Sequence, residues 1–538
     1  MEAARYGTAR CRRKISETSA RPWGSGRQFF PQFAGWTLFR TQAPLLPGIP
    51  GSSLTCGTGF SYHPPSLAAG SSSHLRRVTL MSRAMERILF VFPETRYPSG
   101  QPPIGLGMLA AVSRQRGRDV RVFDMSFMKD PFREMRRELA NYRPDTVGIS
   151  LMTPQLADAS AAASICRDVL PEVLLIAGGP HATVLPEDTL ARTGADLVYS
   201  GEAEMAWARL LDGEDPSRIP GFSMIRDGKL HRAPGLLLTE DLDTLPLPDR
   251  SVFDMEKYFS TWYSMDRVDP DLRGTSVMAT RGCPFTCTFC QPTLSEIFGK
   301  RMRKRTASSI ISELEALVAD YSIDAFMFED STFIVDAEWV HTVCDGLTGS
   351  GLGLRWCCNV RADLLKEDLL DHMVEAGLAK INMGVESASQ RVLDDIYDKG
   401  ITVEGVRRAL AMARERGIRV QGYFMLGAPG ETREEMEETI RFATREPFDD
   451  AVFDITTPFP HTELWERTKH LVREDYTEFD CFQRSVYQLE GFRPSEIERL
   501  KKRAFWRFYL HPSRVFRTLR TALGPRNIRR TLIKARRV

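Results

Sequence analysis

The sequence has no apolar run close to the ~20 residues that a helix needs to cross a bilayer, which excludes a membrane-spanning helix. It also lacks a surplus of either charge. Lys and Arg total 72 against 70 Asp and Glu, and a net charge of +2 gives no reason to expect nucleic acid or another polyanion as partner. Cysteine is scarce, with ten in 538 residues, too few for a disulfide scaffold. Low-complexity stretches are few, and a composition 42% hydrophobic and 26% charged is that of an ordinary folded protein. A chain of this length has room for two or three domains, each with its own core.

Two end segments depart from this balance. Residues 1–84 are rich in Arg, Ser, Gly and Pro, and their only acids are Glu2 and Glu17. An Arg-rich, acid-poor leader can be a transit peptide. A start placed upstream of Met81 or Met85 gives the same pattern and is preferred, with the segment disordered in either case. From Lys501 to Val538 there is no Asp or Glu. Nucleic acid or a membrane surface would suit that stretch, but a solvated helical end with a frayed tail explains it as well and is preferred.

What is present, from Arg87 onward, is an alternation of strand and helix. Short apolar runs at Ile88–Phe92, Val120–Phe123, Thr146–Ser150, Val173–Ala177 and Leu197–Tyr199 predict five strands, with a helix over Ile104–Arg116. Apolar runs separated by helices imply a parallel sheet covered on both faces, with ligands beyond the carboxyl ends of its strands. The expected fold class is α/β: a doubly wound, Rossmann-like domain over 85–210, then a linker over 211–272 containing Leu245-Pro246-Leu247-Pro248. A second series begins near 273, with strands at Ser276–Ala279, Ala325–Phe328, Leu354–Cys357, Lys380–Met383, Val420–Met425 and Ala451–Ile455. Six units predict an incomplete (βα)6 barrel over 273–465, active on the loops after its strands. Residues 466–538 form a helical substrate-side or capping region. Its aromatic stretch Phe505-Trp506-Arg507-Phe508-Tyr509-Leu510 either caps a pocket or, as preferred, packs on the barrel.

Three of the ten cysteines crowd into Cys283-Pro284-Phe285-Thr286-Cys287-Thr288-Phe289-Cys290, just after the first strand of the second series. Thiolates three and four residues apart on a loop can converge on one inorganic centre in a reducing compartment. A tetrahedral zinc site asks for four protein ligands. No His and no further Cys occurs between His231 and His341, leaving only Cys357 and Cys358 as distant candidates. A thioredoxin-like pair Cys287/Cys290 leaves Cys283 unexplained. Three unconnected buried cysteines is the blandest alternative.

The C-x3-C-x2-C spacing with an aromatic before the last cysteine resembles the radical S-adenosylmethionine (SAM) superfamily. The resemblance covers roughly residues 87–465. It implies that Cys283, Cys287 and Cys290 hold a 4Fe–4S cluster whose fourth iron chelates SAM, with Phe289 near the adenine. Further motifs then fall at successive strand ends. Glu329-Asp330 stands where relatives place an acidic pair near the SAM amino group, Asn359-Val360-Arg361 offers a guanidinium for the SAM carboxylate, and Glu386 is placed for the ribose or amino group. Glu329-Asp330 departs from the usual Gly-Gly-Glu.

In the first domain, Gly178-Gly179-Pro180-His181 after the fourth strand, Ser150-Leu151-Met152-Thr153 after the third and Gly201-Glu202 after the fifth resemble the cobalamin-binding domain that precedes many radical SAM barrels. Adjacent glycines let backbone approach a large planar ligand. The resemblance implies cobalamin contacts from Ser150, Met152, Thr153, Gly178, Gly179, Pro180, His181, Gly201 and Glu202. The loop after the first strand, Pro93–Pro98, carries no His, so the lower face of cobalt is expected without a His ligand. His181 is in the wrong loop for that role and is expected to be structural or to touch the ring. Methylthiotransferases share the architecture but need three further cysteines in this domain, and between Arg87 and Leu230 there is only Cys166.

Together these resemblances imply an enzyme that methylates an unactivated carbon of a small molecule, served by a one-electron donor such as flavodoxin or ferredoxin and located in the cytoplasm. Oxidative cyclisation or rearrangement, as in anaerobic magnesium-protoporphyrin monomethyl ester cyclases, is the alternative within the family. A non-catalytic cobalamin or iron–sulfur sensor is the alternative outside it.

Overall fold

The computed structural model describes residues 85–93, 98, 100–226 and 228–516. The leader, most of the Pro93–Pro98 loop and the basic tail beyond residue 516 lie outside the described residues.

The first sheet has seven strands: β1 (Arg87–Phe92), β2 (Asp119–Asp124), β3 (Thr146–Ser150), β4 (Leu174–Gly178), β5 (Leu197–Tyr199), β6 (Phe222–Arg226) and β7 (Lys229–Arg232). Their order is β2-β1-β3-β4-β5-β6-β7, the first five parallel and the last two joined antiparallel. Both faces are buried. Leu89 and Val91 face one core with Val147, Ile149, Leu175 and Ala177, whereas Ile88 and Phe90 face another with Ile176, Leu197 and Tyr199. That explains why these strands read as unbroken apolar runs rather than alternations.

The second sheet is parallel and six-stranded, and its strands stand side by side in chain order: β8 (Gly274–Val277), β11 (Ala325–Phe328), β12 (Arg355–Val360), β13 (Leu378–Glu386), β14 (Arg419–Leu426) and β15 (Asp450–Ile455). Helices fill the intervals; one, Ala307–Tyr321, is capped by the Thr306 hydroxyl, and another, Arg433–Arg445, carries a Thr432/Glu435 capping box. This is the curled half-barrel expected from six strand–helix units. Between β8 and β11 lies a short antiparallel clasp of β9 (Thr280–Arg281) and β10 (Arg303–Lys304).

One segment differs from expectation. Residues 211–272 are not only linker: β6 and β7 extend the first sheet, and Met255–Thr261 is a helix. Beyond the barrel, the helix Pro494–Tyr509 packs on β15. Phe508 is buried there near Phe453, and the Tyr509 hydroxyl donates to the Asp450 carboxylate, accepts from the Ala451 N–H (3.4 Å) and lies 2.9 Å from the Ala451 carbonyl oxygen. Among the described residues no helix is long and apolar enough to cross a membrane.

Candidate functional site

The three cysteines sit on a loop, residues 282–302, closed at its base by the β9–β10 clasp. Gly282 makes the first turn at φ +91°, and a Cβ there would stand 2.7 Å from the Arg301 carbonyl oxygen, so glycine is required. The far side is tied to the barrel: Thr288 donates from its backbone to Tyr397 O (3.0 Å) and from its hydroxyl to Ile396 O (2.7 Å), while Leu464 N donates to Thr288 O (2.9 Å). Cys283, Cys287 and Cys290 open into one cavity of about 740 Å³. Phe289, Glu329, Asn359, Arg361 and Glu386 line it as well, mostly from the carboxyl ends of the barrel strands.

Two cations, Lys399 and Arg361, stand beside the sulfurs. Burial raises the Cys287 thiol, and Lys399 and Arg361 oppose it. Cys290 opens to the cavity but is surrounded by protein, which together with Cys287 pushes its thiol up to about 12. Among the described residues no group of three or more His, Cys, Asp or Glu is disposed to hold a single metal ion, so a mononuclear zinc site gains no support. A donor set of three thiols on one cavity, flanked by two cations, suits an iron–sulfur cluster in which each thiolate takes its own iron.

Glu386 ends β13 at a register shift and at φ +65°, a left-handed conformation unusual for a side-chain-bearing residue. Its carboxylate is held at 2.7 Å by Lys399. Phe289 packs edge-on against Tyr397, centroids 5.2 Å apart. Asn359 accepts from Asn382 (3.2 Å) and donates to the Asp330 carbonyl (2.8 Å). Glu329 accepts from the side chain of Gln101, which arrives from the first domain; burial, and then Asp330, raises the Glu329 carboxyl to about 7.

A second cavity, of about 280 Å³, lies at the carboxyl ends of β1, β3, β4 and β5. Its walls are Phe90, Leu106, Leu109, Ile149, Ile176, Tyr199, Trp207 and Phe222 with glycines between them. At Gly105 an added Cβ would meet nothing within 4 Å, and at Gly178 only Tyr199 O at 3.9 Å, so a side chain at either would occupy the cavity. Such an apolar cradle with two missing side chains has room for the flat base of a corrinoid. A third space of about 260 Å³ shares Gln101 and Glu329 with the cysteine cavity, and Gly105 and Met278 with the glycine-walled one. The three spaces are therefore neighbours, divided by side chains that they share.

The family model described as the radical SAM superfamily matches residues 277–443, and that of the B12 binding domain matches residues 96–211. An uncharacterised methyltransferase of Pyrococcus horikoshii is 32% identical over 440 residues, covering 79% of this chain and 93% of the relative. The chain belongs to the B12-binding radical SAM family. An anaerobic magnesium-protoporphyrin IX monomethyl ester cyclase of Rubrivivax gelatinosus is 28% identical over 399 residues (71% of this chain, 69% of the relative). The fold is shared with the radical SAM methyltransferase TsrM of Kitasatospora setae, solved with cobalamin and a [4Fe-4S] cluster, at a TM-score of 0.59 and 19% identity over 77% of this chain and 81% of that one.

Within this radical SAM chain the expected site residues divide. Ser150, Gly178, Gly179, Pro180, Gly201 and Glu202 line the glycine-walled cavity, and exposed Met152 lines the third space. Four expectations are revised. Asp330 turns away from the cavity, fully buried, to accept from the backbone of Ala279 and Thr280 and fix the strand end before the cysteine loop. Arg361 lines the cavity, but its Nε and Nη2 are taken by Asp363 (both bonds 3.1 Å), Nη2 also donates to Lys399 O and Nη1 faces the Cys287 sulfur, so it is not presented as a free carboxylate clamp. His181 and Thr153 form a buried pair outside the cavity. The imidazole is 3.1 Å from the Thr153 hydroxyl and 3.3 Å from Asp188, which satisfies both ring nitrogens. Sequence reasoning missed Lys399 and Gln101. Neither lies in a motif, and each reaches the site only through tertiary packing.

Proposed function

We propose that the protein is a cobalamin-dependent radical SAM methyltransferase acting on an unactivated carbon of a small molecule. The observation that carries this reading is the closeness of the cysteine cavity to the glycine-walled cavity, each of which shares lining residues with the one space beside Gln101 and Glu329. When bound, the cluster supplies the electron that cleaves SAM to a 5′-deoxyadenosyl radical, and the corrinoid supplies the methyl group. Cys283, Cys287 and Cys290 hold the cluster. Phe289 packs beside SAM, Asn359 and Glu386 bind its polar groups, and Lys399 keeps the Glu386 carboxylate aligned. Glu329, near neutrality in its pKa, sits at the junction as a proton-bearing hydrogen-bond partner. Ser150, Gly178, Gly179, Pro180 and Gly201 cradle the corrinoid, and Met152 borders the space beside Gln101 and Glu329. The part of the cysteine cavity away from the loop, walled by Tyr423, Val452, Asp454, Phe482, Lys501 and Phe505, receives the substrate. Burial in this cavity excludes water and holds the reacting atoms together.

We further propose a cytoplasmic enzyme reduced by a flavodoxin or ferredoxin. Anaerobic reconstitution with iron, sulfide and hydroxocobalamin, followed by assay with SAM and a reductant, tests the reading. Formation of both S-adenosylhomocysteine and 5′-deoxyadenosine supports methylation. 5′-Deoxyadenosine alone indicates cyclisation or rearrangement, and neither product indicates a sensor.

A further inference from the structure

The loop that carries the cysteines also walls the other domain's cavity. Ile297 and Phe298, on the short helix Thr293–Phe298 within that loop, line the glycine-walled cavity, and Leu294 on the same helix lines the cysteine cavity. A buried charge cluster locks this loop to the first domain. Glu202 and Glu204 follow β5 and border the glycine-walled cavity, while Arg281 and Arg303 are register partners in the clasp. Arg303 forks onto Glu202 (Nη1 to Oε2, 2.9 Å); Arg281 reaches Glu202 at 3.1 Å and Glu204 at 2.7 Å. All four side chains are at most 6% exposed. Arg303 also donates to Phe298 O (2.7 Å) and Thr239 O (2.6 Å), so it grips the loop helix and the first domain's carboxylate together. Two carboxylates against two guanidiniums are neutral only as a complete set, and loss of one member leaves a buried charge unpaired.

We infer that Glu202, through Arg281 and Arg303, couples the two cofactor sites, so that a loaded cluster tightens corrinoid binding and a bound corrinoid tightens the cluster. This rests on the assignment of both cofactors made above. A loop ordered around its cluster holds Ile297 and Phe298 where they wall the corrinoid. A cluster-free loop must be ordered when the corrinoid binds, which lowers affinity. The coupling is reciprocal because it is an equilibrium property of one network. Glu202 acts here as a positioning residue, its carboxylate already committed to the arginines.

The test is hydroxocobalamin binding to the full-length chain, measured anaerobically by equilibrium dialysis on cluster-loaded and chelator-stripped protein. The wild type is expected to bind roughly tenfold tighter when loaded. In Glu202→Gln that ratio falls toward one while iron and sulfide content after reconstitution stay unchanged. Ile297→Ala, which leaves every charge in place, also lowers the ratio and serves if Glu202→Gln does not fold. An unchanged ratio in a folded variant, or equal affinity of loaded and stripped wild type, overturns the coupling alone. Failure of both forms to bind hydroxocobalamin overturns the assignment of the glycine-walled cavity, and the coupling with it.

Discussion

Replacing Lys399 with Met leaves Glu386 buried without its cation. Both residues are 7% exposed, and their charged atoms meet at 2.7 Å. Breaking a buried pair by removing one partner costs about 3–5 kcal/mol, mostly through desolvation of the charge left behind. Removing both charges costs less, so Glu386→Gln/Lys399→Met is expected to recover most of that loss, giving a coupling energy of about 2–3 kcal/mol. The assay is a double-mutant cycle from urea denaturation of the cluster-free protein, followed by circular dichroism under anaerobic conditions. A second readout is site-specific: Lys399 is the first of the cations that oppose the rise of the Cys287 thiol. Lys399→Met should therefore raise that thiol further and slow its alkylation by iodoacetamide, measured by peptide mass spectrometry. A double variant no more stable than Lys399→Met would refute the pairing argument. An unchanged alkylation rate at Cys287 would refute the electrostatic one.

Other perturbations separate the roles of individual positions. Gly282→Ala forces a Cβ to 2.7 Å from a backbone oxygen at φ +91°; it should cost at least ~2 kcal/mol locally and lower the iron retained per chain after reconstitution. Gly178→Leu should leave the circular dichroism spectrum intact and fill the cradle, so that cobalamin content falls while cluster content does not. The Glu329 carboxyl is raised to about 7 by burial, so its stabilising contribution is present in acid and lost as pH rises through about 7. Glu329→Gln keeps a partner for Gln101 and should be favoured over the wild type by roughly 3 kcal/mol at pH 8 but not at pH 4, as read from denaturation midpoints. Equal pH profiles would count against the burial of a titrating group there.

Much of this architecture was legible because strands such as Leu174–Gly178 and Ala325–Phe328 are buried on both faces and so read as short apolar runs. The β6–β7 pair escaped because Ser223, Arg226, Lys229, His231 and Arg232 break up its apolar pattern, although Asp227-Gly228 is a strong two-residue hairpin signal. Spacing alone singled out the cysteine loop. Arg361 was read as a carboxylate partner, and its chemistry was right, but Asp363, two residues on in the same sequence, satisfies it. Lys399 and Gln101 were not legible, because thirteen residues separate Lys399 from Glu386 and a different domain supplies Gln101.

A half-barrel, unlike a closed one, keeps two lateral strands that further strands can join. At β15 the hydroxyl of Tyr509 sits over both main-chain groups of Ala451 and covers them. Chains shortened to remove the helix Pro494–Tyr509 would thus expose a ready template for intermolecular strand addition, and their first symptom would be precipitation rather than a loss of turnover.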